Sequence, residues 1–147
     1  MFRRLSRRLW IGALILILPV AGLILVACGP AQNPLDATSW RLVSIRNETG
    51  DLAASAAGSV VTLNFQATQA AGMAGCNDYS GTYTVDGDRL KFGPLSTTRQ
   101  ACPDLKVMQQ EQAYLAALEQ VQTFKLDTSS LELLDGGRHT LLFFGPP

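Results

Sequence analysis

Histidine is almost missing from this sequence, which narrows the chemistry open to it. The one imidazole among 147 residues is His139, placed after Arg138 in a turn-forming stretch where a solvated side chain is expected rather than a general base. No Cys-x-x-Cys pair occurs and no activating base stands beside a cysteine, so thiol–disulfide exchange lacks its machinery. No serine or cysteine sits in a recognisable nucleophile motif, and no two carboxylates stand out as an acid and a base. The chain therefore does not read as an enzyme. Asp86 and Asp88 flank Gly87, but the other oxygen ligands of a calcium loop are lacking, so neither a metal nor another cofactor is expected. Internal repeats are lacking too, and the length suits one domain.

Charge of one sign is scarce once the N-terminus is set aside. Arg3, Arg4, Arg7 and Arg8 precede an uncharged, mostly apolar run from Trp10 to Ala27, the layout of a secretory signal peptide. Leu25–Val26–Ala27–Cys28 is similar to a bacterial lipobox, so residues 1–27 are expected to be removed and Cys28 to carry lipid as the mature N-terminus. A plain transmembrane anchor is the alternative, since about 20 apolar residues span a bilayer. In either case the arginines stay inside and the rest faces outward, anchored at the cell membrane or envelope. Losing four of the 12 basic side chains leaves eight against 12 acidic, a net of −4. A mildly acidic chain without a basic cluster argues against nucleic acid and against anionic lipid heads.

With Cys28 lipidated, Cys76 and Cys102 remain as a pair in an oxidising compartment, where a disulfide is expected and two reduced, buried thiols are the alternative. Residues 28–36, with Pro30, Asn33 and Pro34, read as a tether without a fold of its own. The domain is expected over 37–147. Trp40 to Ile45 reads as a strand stopped by Asn47–Glu48–Thr49–Gly50. Val60 to Phe65 alternates, with Val61, Leu63 and Phe65 on one face. Ala67 to Ala74 reads as small and flexible, and Ala67 to Tyr79 as a loop able to protrude. Tyr83 and Val85 pair in pattern with Leu90 and Phe92 across Asp86–Gly87–Asp88, a hairpin signal. Pro103 and Asp104 open a helix to about Val121, whose apolar stripe is Leu105, Met108, Leu115, Leu118 and Val121. Three short strands follow, over 123–126, 131–134 and 140–144. Strands, one helix and more strands give an α+β domain, a curled antiparallel β-sheet packed on a single main α-helix.

Gly75–Cys76–Asn77 with Tyr79 and Gly81, Thr97–Thr98–Arg99 before Cys102, and Glu111 with Tyr114 and Leu115 occur in that order, opened by Trp40 and closed by an apolar strand. From about Asp36 to Phe144 this pattern resembles the META domain family, which includes HslJ-like bacterial heat-shock proteins. The resemblance implies an envelope setting linked to heat stress and antibiotic tolerance, with no agreed catalytic site. Each motif residue also has a reading that needs no ligand. Asn77 can cap a turn, and Tyr79 and Tyr83 fit a core or sheet surface better than a sugar platform. Arg99 is expected to pair with Glu111, the alternative being an anion- or peptide-facing role. The function expected is a lipid-anchored, non-catalytic protein that binds an envelope partner in maintenance or stress. The alternative is an inhibitor of a hydrolase, such as a cell-wall enzyme or protease.

Overall fold

The computed structural model describes Gln32–Pro147. Cys28, the signal segment and the first tether residues lie outside it. Nine strands and one helix follow in order: β1 Ser39–Arg46, β2 Leu52–Ala54, β3 Thr62–Gln66, β4 Gln69–Met73, β5 Asp78–Asp86, β6 Arg89–Thr97, α1 Leu105–Gln120, β7 Thr123–Leu126, β8 Leu131–Leu134 and β9 Thr140–Gly145. All neighbouring strands are antiparallel, in the order β2-β1-β3-β4-β5-β6-β7-β8-β9, and β9 also pairs with β1. Eight strands thus close into a ring. β2 is left over, sharing an edge of β1 with β3. The domain is more β-rich than the expected sheet on a helix, because two of its strands were not apparent from sequence.

Closure follows from alternation and bulges. Val61, Leu63 and Phe65 turn inward from β3 and its approach, as do Leu90 from β6, Leu131 and Leu133 from β8, and Leu142 and Phe144 from β9. Each fully buried Leu or Phe contributes about 1.5–3 kcal/mol over an exposed one. Register shifts at Leu42/Ser44 in β1 and Gly81/Tyr83 in β5 add the local twist that lets the sheet curl shut. The β5–β6 hairpin forms as expected, with Tyr83 opposite Phe92 and Val85 opposite Leu90.

Most of the segment 67–74 is strand rather than flexible loop: Gln69–Met73 forms β4. β4 pairs with both β3 and β5 and buries Ala70. Its small residues serve close approach: a Cβ on Gly72 would lie 2.1 Å from the carbonyl oxygen of Thr62. The β3–β4 turn lacks glycine, and Ala67 takes φ +53° there while Asp36 Oδ1 accepts its backbone N–H at 2.6 Å. Asp36 therefore belongs to the fold, and so do its neighbours. Leu35 is fully buried, and Asn33 donates to the Tyr83 hydroxyl at 2.7 Å. The part of the expected tether from Asn33 onward is structured because its polar groups complete the barrel wall.

The helix is α1, capped by Asp104, whose Oδ1 accepts from the N–H groups of Lys106 and Val107. Pro103 precedes the cap instead of occupying the first turn. The buried face is rotated from the expected stripe: Gln110, Glu111, Tyr114, Ala117 and Leu118 point inward, while Leu105 is 66% exposed. Two polar residues occupy an apolar-looking face because both are fully hydrogen-bonded inside, as the site geometry makes plain.

Candidate functional site

Asn77 and Glu111 form the centre of the motif region. Gly75, at φ +125°, turns the chain so that the next two N–H groups point at the helix. Glu111 Oε2 accepts from Cys76 N at 3.0 Å and Asn77 N at 2.7 Å, and Oε1 accepts from Asn77 Nδ2 at 2.7 Å. On its other side Asn77 Oδ1 accepts from Thr98 Oγ1 at 2.9 Å and Gln100 N at 2.7 Å. Asn77 and Glu111 are both buried, 6% and 8% exposed. A carboxylate taking three N–H bonds out of water is a strong anchor. It ties the β4–β5 turn, the segment after β6 and the helix into one unit.

Cys76 and Cys102 are joined in a disulfide beside this anchor, with Cα atoms 5.9 Å apart. Arg99 is exposed, and among the described residues it makes no ion pair with Glu111. The expected Arg99–Glu111 pair is therefore replaced by the backbone of Cys76 and Asn77, whose N–H groups occupy the carboxylate.

Tyr79 and Tyr114 lie deeper. Their hydroxyls meet at 2.6 Å, their rings stack edge-on at 5.6 Å between centroids, and the Tyr79 hydroxyl also reaches the carbonyl of Thr62 at 2.9 Å. Burial raises both phenol pKa values well above the ordinary range. Tyr83, against Phe65 and Asn33, is raised by burial as well. All three tyrosines are core residues, leaving no exposed ring to serve as a sugar platform.

Gln110 was not singled out from sequence. Its Oε1 accepts the backbone N–H of Ala56, and its Nε2 donates to Ser59 Oγ at 2.8 Å, fastening the β2–β3 connection to the helix. The available signal was a Gln–Glu pair interrupting the apolar helix face between Val107 and Tyr114. Between this connection and the helix lies an open cleft of about 730 Å³, lined by Ile45, Arg46, Ala54, Ala56, Gln109 and Ala113 among others. Ser55 N bonds Val43 O and Asn47 N bonds Asp51 O, so by alternation Leu52 and Ala54 turn their backbone groups away from β1. Ala56 continues that outward row and is the residue Gln110 satisfies.

Among the described residues, no three His, Cys, Asp or Glu side chains gather where a metal ion would bind. None of the described helices is long and apolar enough to cross a membrane. The sequence signature of the META domain matches residues 33–147. This chain belongs to the META domain family. No curated protein matches it in sequence. Among solved structures it is similar to a protein from Burkholderia xenovorans determined by NMR, at 30% identity and a TM-score of 0.65, over 77% of this chain and 83% of that one. A DUF4847 family protein from Bacteroides vulgatus shares the fold alone, at 13% identity and a TM-score of 0.54, over 78% and 95%. In this META domain the residues that carry the family pattern, Gly75 to Asn77, Tyr79, Glu111 and Tyr114, bond to one another. Their side chains build the scaffold, while Arg99 of the same pattern stays exposed.

Proposed function

We propose that this META domain protein is a lipid-anchored, non-catalytic component of the cell envelope that binds a protein partner in envelope maintenance or stress tolerance. Anchoring rests on the Leu25–Cys28 pattern, and the Cys76–Cys102 disulfide supports an oxidising compartment. Asn77, Tyr79, Glu111 and Tyr114 support a scaffold rather than catalysis, since their side chains are hydrogen-bonded internally. The binding reading is carried by the cleft that Ala54 and Ala56 line together with Gln109 and Ala113 of the helix, next to the outward-turned backbone groups of Leu52 and Ala54 on β2. Such an edge is where an extended segment adds by backbone pairing.

Inhibition of a hydrolase loses its main support, since the span expected to protrude, Ala67 to Tyr79, is held in the barrel wall through β4 and the start of β5. The test is cross-linking in intact cells from a photoreactive residue at Leu52, with a second at Thr84 on the far hairpin as control. A specific adduct from Leu52 alone is expected. Adducts absent from both positions, over several linker lengths, would count decisively against a dedicated partner.

A further inference from the structure

A second concave surface lies at the seam where β6 meets β7. The two strands share one registered pair, Arg89 opposite Thr123, bracketed by Leu90 N to Gln122 O and Phe124 N to Asp88 O. Beside it lies a cleft of about 420 Å³ lined by Asp88, Arg89, Lys91, Thr123 and Arg138, with Gln122 and Gly136 completing the wall. Its size falls in the range of small-ligand sites.

Three of the eight basic side chains that follow Cys28 converge here, in a segment whose net charge is −4. Arg89 and Lys91 alternate with the buried Leu90, so both project from the outer face of β6. Among the described residues neither forms an ion pair; Arg138 has one, to Asp88 at 3.4 Å, with both side chains well exposed and the bond correspondingly weak.

Arg138 also sits at φ +62°, a conformation that favours glycine or asparagine. The turn that imposes it is built by Asp135, whose Oδ1 accepts from Gly137 N and His139 N, both at 2.9 Å. An arginine kept at a costly backbone position suggests that its guanidinium has a use.

We propose that this seam is a binding site for a phosphate group, held by Arg89, Lys91 and Arg138. Planar guanidinium forks suit a tetrahedral oxyanion with several acceptor oxygens. The phosphate belongs to a soluble phosphomonoester or to a phospholipid headgroup; the chemistry at the cleft is the same.

The test uses full-length protein in neutral detergent, read by amide NMR shifts while glycerol phosphate is added against chloride of equal ionic strength. A parallel series uses bicelles of phosphatidylglycerol or phosphatidylcholine. Saturable shifts confined to 88–91, 122–124 and 136–138 are expected in one series. The Arg89→Ala/Lys91→Ala double variant should weaken binding about tenfold or more. Arg41→Ala/Lys106→Ala, an equal charge change at exposed positions elsewhere, should leave it unchanged. Arg138→Gly suits the backbone and removes the guanidinium, and should weaken binding without unfolding. Response to glycerol phosphate assigns a soluble ligand, and response to phosphatidylglycerol alone assigns a headgroup. Silence in both series, or equal weakening by the two double variants, overturns the site.

Discussion

Glu111 holds Asn77 twice across 34 residues of sequence, once through the backbone N–H and once through the side-chain amide, both at 2.7 Å. Removing the carboxylate strands the N–H groups of Cys76 and Asn77 and leaves the Asn77 amide only the Gln100 carbonyl, at 3.4 Å, and each unsatisfied buried group costs about 1–3 kcal/mol. Glu111→Ala is therefore expected to destabilise by about 3 kcal/mol or more in urea unfolding. Asn77→Asp should be worse than Asn77→Ala, because it sets a second carboxylate against the first in a buried space. A milder effect for Asn77→Asp would show that the carboxylate contact is not the anchor.

The disulfide and this anchor hold the same segment independently. The loop of 26 residues predicts a loss of about 3.5 kcal/mol when Cys76 and Cys102 are both replaced by serine, by chain entropy alone. Because Glu111 still grips the turn, the double variant should keep a native-like amide spectrum while its unfolding midpoint drops. Collapse of the spectrum would mean that the covalent link is what forms the anchor.

Tyr79 and Tyr114 predict an alkaline limit. Their folded-state pKa values are raised by burial, so above pH about 10 the unfolded chain releases protons that the folded one retains. Stability is whole below that pH and falls as pH rises, by about 1.4 kcal/mol per pH unit for each tyrosine. Tyr114→Phe should flatten this fall at a cost of about 1 kcal/mol at neutral pH, where Tyr79 keeps Thr62 as acceptor. Urea titrations across the alkaline range measure both effects.

Gly72 carries a steric prediction. A methyl group there would overlap the carbonyl of Thr62, which is itself fixed in β3 and bonded by Tyr79. Gly72→Ala should cost about 3 kcal/mol or more, near the top of the single-substitution range. Gly87→Ala meets open space at φ +62° and should cost about 1 kcal/mol. Thermal melts of the two variants compare them directly.

The elements legible in the sequence are those with a period or a turn signature of their own. Val61, Leu63 and Phe65 alternate, Asp86–Gly87–Asp88 marks a hairpin, and Pro103–Asp104 marks the opening of a helix. β4 escaped because its residues were selected for smallness at a close strand approach, which looks like flexibility in one dimension. The β3–β4 turn escaped because its left-handed residue is Ala67, supported from Asp36 thirty-one residues away. Asn77 and Glu111 could be named as motif residues, but not joined, since the choice between Arg99 and the backbone of Cys76 and Asn77 is decided by which donors are buried. The seam cations are spread over 89, 91 and 138, and no sequence window contains them together.

Pairing of β9 with β1 makes the barrel's completion depend on the strand synthesised after the other eight. Until Thr140–Gly145 leaves the ribosome, β1 exposes a hydrogen-bonding edge and the interior lacks Leu142 and Phe144. A message truncated before that strand would yield a product that has almost every element yet behaves as an open sheet, prone to join with its own copies. The six residues of β9 thus act as the closing stave for all the others.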